Sequence, residues 1–228
     1  MASSNLIVVL GTTASGGFMP EYLKSLEQAD IPYHIEDISM MPNLNGGGNL
    51  GWKVEFFRKT ASMFSSYEFM IVSDAWDMMF FCRNKGEVLC RLPKDHVLFA
   101  AEKNCYPDAA IAPRIPDRGP WRFMNGGLSG GTPQSFLAWC DAAERHPLYV
   151  PSALDQWFTN ELLAAEDPLI QIDYRTRLFF CLYGGYPELE FVNGMPVNTM
   201  YHTYPCWIHA NGKWSTEELL EKYQRSLI

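Results

Sequence analysis

The sequence predicts an α/β fold in which a mixed, mostly parallel central sheet is flanked by helices. The chain opens with an apolar strand, a Ser/Thr/Gly turn, a helix that starts near a proline, and a second strand, all within residues 5–38. This strand–helix–strand order is typical of a parallel sheet. The length of 228 residues favours one domain over residues 1–228 with a full hydrophobic core.

Apolar periodicity and turn residues predict the remaining elements. The predicted strands are 5–11, 31–38, a strand beginning at Met70, 97–102, two strands within 169–182, and a last strand that ends at His209. The predicted helices are 20–29, 53–64, 133–145, a helix beginning near Ser152 as its N-cap, and 215–227. Segment 107–121 has four prolines and predicts a long loop, and 190–204 predicts a hairpin or loop near the sheet edge.

Composition excludes some classes of partner. The net charge of −8 argues against general attraction to nucleic acid or to an anionic membrane, although Arg114, Arg118 and Arg122 could form a local basic patch. We find no signal peptide and no membrane-spanning run, so we expect a cytoplasmic protein, in the host cytoplasm if the source is viral. The six cysteines form no CxxC pair and are expected to be reduced thiols.

Two acids interrupt the apolar run MIVSDAWDMMFF at residues 70–81. Asp74 and Asp77 follow a predicted buried strand, where an ionised carboxylate is costly unless it is paired. Other predicted strands also end in polar side chains, namely Thr12, Thr13, Glu102, Asn125 and His209. Ligands of open α/β sheets gather beyond the carboxyl ends of the strands, so this set predicts a binding site.

The spacing of Asp74 and Asp77, a DxxD pattern, lets both carboxylates face one point. Oxygen ligands of this kind suit a hard cation such as Mg²⁺ or Mn²⁺. An imidazole from His209 shifts the preference toward Mn²⁺. Such an ion leaves coordination positions for phosphate oxygens, so the predicted ligand is a diphosphate.

Further residues around this point fit a nucleotide diphosphate. Trp76 could stack on a base, Lys53 follows the Gly-rich loop 43–53, and the turn Asn211–Gly212–Lys213 could hold phosphates. The alternative interpretation of the Gly-rich loop is a flexible connector. The alternative interpretation of HANGK, residues 209–213, is an ordinary surface turn. The pair Asp155–Gln156 either places a charge in the first turn of a helix or positions a carboxylate on a sugar hydroxyl or as a general base.

The order of several short motifs resembles the glycosyltransferase domain of the procollagen lysyl hydroxylases and related collagen-type sugar transferases. The motifs are VVLGTTASGG, GGGNLGWKV, VSDAWD, LFAAEKNCYPD, RFMNGGLSGG, LDQWFTNELL, IQIDYRTRLFF and WIHANG. They span residues 5 to 215, nearly the whole chain. The resemblance implies a GT-A fold, a UDP-sugar donor and Mn²⁺, with Mg²⁺ as the other candidate ion.

By this resemblance, Asp74, Asp77 and His209 are expected to be the metal ligands. Thr13 and Lys53 match positions near the nucleotide, and Trp76 stands where the family usually has Tyr. Positions around the diphosphate and sugar are matched by Glu102, Asp155, Asn211 and Gly212. Thr12, Asn125, Gly126, Gln156 and Lys213 complete the expected donor-binding set. Gly126 stands where the family has a hydroxyl, and Lys213 where it has Pro.

These expectations describe a stand-alone, metal-dependent glycosyltransferase of bacterial or viral source. Asp155 or Glu102 is expected to orient the sugar or to deprotonate the acceptor. The acceptor is either a hydroxylysine-like protein hydroxyl or a hydroxymethylated base in DNA. Two alternatives stay open: a metal-dependent nucleotide-sugar hydrolase or nucleotidyltransferase, and a non-catalytic carbohydrate-binding module.

Overall fold

A computed structural model describes residues 5–12, 17–39, 52–147, 149, 155–212 and 216–227. The strands are β1 (Leu6–Thr12), β2 (Tyr33–Asp37), β3 (Phe69–Ser73), β4 (Met78–Phe80), β5 (Val97–Glu102), β6 (Phe123–Gly131), β7 (Ile170–Ile172), β8 (Phe179–Cys181), β9 (Leu189–Val192), β10 (Met195–Asn198) and β11 (Trp207–His209). The helices are α1 (Met19–Gln28), α2 (Lys53–Met63), α3 (Lys85–Leu89), α4 (Pro133–Arg145), α5 (Asp155–Ala164) and α6 (Thr216–Arg225).

The main sheet has six strands in the order β2-β1-β3-β6-β5-β7. Its neighbouring strands run parallel except at β6, which is antiparallel to both β3 and β5. The N-terminal end of β6 therefore lies at the same edge as the carboxyl ends of the parallel strands. The predicted mixed, mostly parallel α/β fold is confirmed.

Both faces of the main sheet are covered. In β1, Ile7 and Val9 belong to a core cluster shared with α2 and α4, whereas Leu6, Val8 and Leu10 belong to a second cluster shared with α1. This alternation follows from the two-residue period of a strand. Three of the seven tryptophans, Trp121, Trp139 and Trp207, are among the largest fully buried side chains, so much of the aromatic content fills the core.

A smaller three-stranded sheet, β4-β11-β8, packs beside the main sheet. In it β4 is antiparallel to β11, and β11 is parallel to β8. The strands β9 and β10 form a separate hairpin, as the sequence predicts for 190–204. None of the helices in the described segments combines the length and apolar character needed to cross a bilayer.

The predicted helices and strands begin and end within a few residues of the observed ones, but the structure also contains β4, β6 and α3, which were not predicted as separate elements. Segment 107–121 was expected to be a loop throughout, but residues Ala109–Arg114 form a 3₁₀ helix. The Asp108 side chain caps it by accepting a hydrogen bond from the Ala110 amide at 2.9 Å. The expected N-cap Ser152 and most of the Gly-rich loop lie outside the described residues. A single domain over 1–228 stays a prediction.

The expectation of reduced cysteines is wrong for two of the six. Cys82 and Cys206 form a disulfide across 124 residues of sequence, with their Cα atoms 4.9 Å apart. Cys82 follows β4 and Cys206 precedes β11, and the Phe81 amide donates to the Cys206 carbonyl at 2.8 Å. The disulfide therefore closes one end of the β4–β11 ladder. Cys90, Cys105, Cys140 and Cys181 are free thiols.

Replacing Cys82 is expected to destabilise the fold because the disulfide constrains a long loop of the unfolded chain. Cys82→Ser should lower the free energy of unfolding by about 2–5 kcal/mol. Urea unfolding without reductant measures the effect. The matched control is Cys90→Ser, which changes an exposed free thiol and should unfold like the wild type. Equal midpoints for all three proteins would contradict the disulfide.

Candidate active site

The candidate site lies where the two sheets meet. Residues 74–77 carry the chain from β3 in the main sheet to β4 in the smaller one, and His209 is the last residue of β11. The Ala210 amide donates to the Asp77 carbonyl at 2.8 Å, so the backbone holds these two positions side by side. The sequence places Asp77 and His209 132 residues apart, and the β4–β11 pairing brings them together.

Asp74, Asp77 and His209 form one cluster. Nε2 of His209 lies 3.1 Å from Oδ2 of Asp77 and 3.9 Å from Oδ2 of Asp74. Burial lowers the pKa of His209, but the charges of Asp77 and Asp74 outweigh burial and leave that pKa above its ordinary value. Burial raises the pKa of Asp77, and His209 outweighs it in the opposite direction. The groups stabilise each other's charged forms.

The cluster fits a divalent cation. Ligands about 2.0–2.1 Å from an octahedral ion lie roughly 3 Å apart when adjacent and roughly 4 Å apart when opposite. The separations of 3.1 and 3.9 Å fall in this range, and one ligand atom from each residue lies within 4.8 Å of the others. Among the described residues, this is the one group of three or more His, Cys, Asp or Glu side chains with such spacing.

Lys53 is a buried cation beside this cluster. It is the first residue of α2 and is 4% exposed. Its Nζ donates to the Gly126 carbonyl at 2.5 Å and to Oδ1 of Asp74 at 3.4 Å. Burial lowers the pKa of Lys53, but the charges of Asp74, Asp155 and Asp77 outweigh burial and raise it. Lys53 therefore stays charged and compensates the surrounding carboxylates.

Asp155 is a buried acid whose oxygens lack partners. It begins α5 and is 1% exposed, and neither carboxylate oxygen makes a hydrogen bond to the described part of the chain. Burial raises its pKa, while the Lys53 charge and nearby backbone amides oppose this effect. Unpaired buried carboxylate oxygens are costly. Asp155 is therefore a strong candidate to accept hydrogen bonds from a ligand.

Glu102 is the other buried acid at this edge. Gln156 donates to its Oε1, and Nδ2 of Asn211 donates to its Oε2 at 3.0 Å. Burial raises the pKa of Glu102 to about 7, although hydrogen bonds from Gln156, Asn125 and Asn211 and the charge of His209 lower it. Both protonation states are therefore accessible near neutral pH, as a general base requires.

An irregularity in β6 shapes the backbone between these groups. Phe99 of β5 pairs with Ser129, but the next residue, Ala100, pairs with Asn125, so residues 126–128 lack partners on β5. This bulge frees the Gly126 carbonyl for Lys53, and the Gly127 carbonyl accepts from the Asp74 amide at 2.8 Å. Bulges commonly redirect backbone groups next to active sites.

The two glycines of the bulge are required by close contacts. A Cβ on Gly126 would stand 2.6 Å from Oδ2 of Asp155, and a Cβ on Gly127 would overlap the His209 ring, 2.6 Å from Nδ1. Gly126 is thus a packing position against Asp155 and Lys53. Sequence reasoning missed Gly127; the available signal was the second glycine of NGG, since paired glycines often mark close backbone approach.

The other predicted residues occupy the same edge with different surroundings. Trp76 is 45% exposed between the two acids, and its carbonyl accepts from the Phe18 amide. Thr12 is buried at the end of β1. Gly212 has a φ of 85° and packs against the Tyr183 ring.

Asn125 lies near the start of the antiparallel β6, and not at the end of a strand as expected. Thr13 and Lys213 lie outside the described residues.

The fold is shared with a protein of known structure. A solved structure described as a glycosyltransferase involved in the glycosylation of the major capsid of PBCV-1 matches with a TM-score of 0.55. The match covers 96% of this chain and 98% of that one at 11% sequence identity, so it shows a shared fold. The chain therefore shares its overall fold with that glycosyltransferase.

Sequence comparison gives the family. A family model described as the PLOD GT domain matches residues 3–225, and the chain belongs to this glycosyltransferase family. Similar proteins include the multifunctional procollagen lysine hydroxylase and glycosyltransferase LH3 of Rattus norvegicus, at 27% identity over 91% of this chain, and of Homo sapiens, at 26% over 91%. The procollagen-lysine,2-oxoglutarate 5-dioxygenase of Drosophila melanogaster is 26% identical over 90% of this chain. The chain spans 29–30% of the length of these relatives.

Gly127→Ala is expected to displace His209 because the added methyl overlaps its ring. The variant should bind Mn²⁺ about 10-fold or more weakly than the wild type, measured by electron paramagnetic resonance of free Mn²⁺.

The matched control is Gly130→Ala in the same strand, where a Cβ would stand 2.6 Å from the Ile71 and Leu92 side chains in the core. It should lower thermal stability by overpacking and leave Mn²⁺ affinity unchanged. Wild-type affinity in the Gly127 variant would contradict the proximity of Gly127 and His209.

Proposed function

We propose that this protein is a metal-dependent glycosyltransferase that moves a hexose from a UDP-sugar to an acceptor hydroxyl. Membership in the PLOD GT-domain family supports the reaction class. The observation that carries the metal dependence is the convergence of Asp74, Asp77 and His209 at one point of the sheet edge. Mn²⁺ is the proposed ion, and Mg²⁺ is the second candidate.

Asp74, Asp77 and His209 are the proposed metal ligands. When bound, the ion supplies charge neutralisation for the diphosphate that leaves the donor sugar. Lys53 holds the Asp74 carboxylate through its contact at 3.4 Å, and it adds a second positive charge at this edge. The strands behind these residues are buried, so the ligand side chains are attached to a rigid backbone.

The two buried acids differ in their hydrogen bonds, and this difference assigns their roles. Asp155 has two carboxylate oxygens without partners among the described residues, and we assign it to bind hydroxyl groups of the donor sugar. Glu102 is held by Gln156 and Asn211 and has a pKa of about 7. We assign Glu102 to orient the acceptor hydroxyl and take its proton, a role that typically contributes about 10²–10⁴-fold.

The remaining donor contacts follow from position. Trp76 presents a half-exposed ring beside the acids and is proposed to stack on the uracil base. Asn211 and Gly212 follow His209 after one residue, Ala210, and with Lys213 they are proposed to bind the phosphates. Thr12 at the end of β1 and Thr13, the next residue in the sequence, complete the proposed donor site together with Gln156 and Gly126.

The surface charge favours a protein hydroxyl as the acceptor over a hydroxymethylated DNA base. The three arginines that could have attracted DNA each face a carboxylate. Arg114 pairs with Glu161, Arg118 lies 3.9 Å from Glu166, and Arg122 lies 3.8 Å from Asp117. Their charges are compensated, and the chain as a whole carries −8. A polyanion would therefore be repelled.

Asp77→Asn is expected to abolish transfer because it removes a charged metal ligand. Transfer of labelled hexose from UDP-hexose should fall at least about 100-fold. EDTA treatment of the wild type should cause a similar loss, which Mn²⁺ restores. The control Asp141→Asn changes a half-exposed acid of α4 that pairs with Arg58 and should leave transfer unchanged.

This experiment also separates the alternative functions. A nucleotide-sugar hydrolase or nucleotidyltransferase would release nucleotide as its main reaction without acceptor. A carbohydrate-binding module would bind sugar equally well with EDTA. Full transfer by Asp77→Asn in chelator-treated buffer would overturn the proposed metal site.

An acceptor comparison tests the preference for protein. Peptides containing hydroxylysine should be labelled by the wild-type protein and Mn²⁺, whereas DNA containing hydroxymethylated bases should not. Arg114→Gln should leave peptide labelling unchanged because its guanidinium is paired with Glu161. Labelling of DNA that falls steeply with added salt would reverse the preference.

A further inference from the structure

Asn125 lies directly behind His209, on the side of the ring that faces away from the acids. It is the third residue of β6 and is 6% exposed. Its Oδ1 lies 2.9 Å from Nδ1 of His209, and it also accepts a hydrogen bond from the Gly127 amide at 2.9 Å. One amide oxygen thus has two nitrogen neighbours, one from the backbone and one from the imidazole.

The backbone contact fixes which end of the Asn125 side chain faces the ring. An amide N–H can only donate, so the atom opposite the Gly127 nitrogen must be the oxygen of Asn125. That oxygen can only accept, and Nδ1 of His209 must therefore carry a proton. A neutral His209 then has its lone pair on Nε2, the atom that lies 3.1 Å from Asp77 and 3.9 Å from Asp74.

We propose that Asn125 is a positioning residue that fixes the tautomer and the ring orientation of His209, so that Nε2 is free to bind a divalent cation. This inference rests on the proposed metal site. It replaces the expectation from the sequence that Asn125 contacts the donor nucleotide. Partners of this kind hold metal-bound histidines in place, and their loss typically lowers metal affinity about 10–100-fold.

The chain offers a conservative variant and a matched control. Asn125→Asp keeps an oxygen for both the Gly127 amide and Nδ1 of His209, whereas Asn125→Leu removes it at similar volume. Asn160 is a second buried asparagine whose Oδ1 accepts from a β6 amide, that of Met124, at 3.0 Å. Asn160→Leu removes a comparable hydrogen bond to the same strand without touching His209.

The first measurement is the Mn²⁺ dissociation constant of each variant, from the paramagnetic resonance of free Mn²⁺. Asn125→Leu should bind about 10–100-fold more weakly than the wild type. Asn125→Asp should stay within about threefold of the wild type, and Asn160→Leu should match it. Equal affinity in the wild type and Asn125→Leu would overturn the proposal, as would equal losses in Asn125→Leu and Asn160→Leu.

The second measurement does not depend on whether the leucine variant folds. Nitrogen-15 spectra of the wild-type protein loaded with Cd²⁺ should show His209 with a protonated Nδ1 and a metal-bound Nε2. A ring bound through Nδ1, or a wild-type chain that binds no divalent cation, would overturn the proposal.

Transfer activity separates this inference from the proposed function. If every acceptor fails but the affinities and the spectrum are as expected, the proposed function falls and the role of Asn125 stands. If the wild type transfers sugar with Mn²⁺ but Asn125→Leu binds Mn²⁺ normally, the proposed function stands and the proposed role of Asn125 is wrong.

Discussion

The site depends on one electrostatic constraint: two buried and two partly exposed carboxylates meet at one edge of the main sheet. Glu102 and Asp155 are buried, and Asp74 and Asp77 lie beside them. Burying such groups is unfavourable unless opposite charge or hydrogen bonds compensate. Lys53 stands between Asp74 and Asp155, and His209 stands against Asp77. A divalent ion at the triad would add the positive charge that these two groups supply only in part.

The bulge of β6 makes this arrangement sterically possible. Without side chains at 126 and 127, the backbone passes close to Asp155 and to the His209 ring. The freed carbonyls bind Lys53 and the Asp74 amide. This interior strand of the main sheet therefore also sets the positions of Asp155, Lys53 and the His209 imidazole. Larger residues at either position would force these side chains apart.

The sequence predicts much of this fold because its strands and helices carry strong local signals. Residues 97–102 and 133–145 agree with β5 and α4 to the residue, since apolar patterns and a proline mark their limits. Chemistry at strand ends likewise predicts the triad. The features that the sequence does not predict depend on contacts between residues far apart in the chain. The Cys82–Cys206 bond spans 124 residues, and no local pattern reports the β4–β11 pairing that creates it.

Asn125 is a second case in which the sequence alone does not predict the contacts of a residue. Its residue type and its place near a strand end indicate a polar site, but they do not distinguish a ligand contact from support of another side chain. Only the direction of β6 and its register shift show that Asn125 faces His209. Sequence reasoning therefore finds which residues gather at the site more readily than it finds what each one touches.

The β4–β11 ladder explains how the triad differs from an ordinary group of surface acids. Its paired residues run from Trp207 with Phe80 to His209 with Met78, and the disulfide lies just beyond the first of these pairs. Asp77 and His209 lie at the opposite end. The conformational entropy that must be lost to bring these two side chains together is therefore lost when the ladder folds. A cation at the proposed site would therefore meet side chains already in place, and little of its binding free energy would be offset by the cost of ordering the chain.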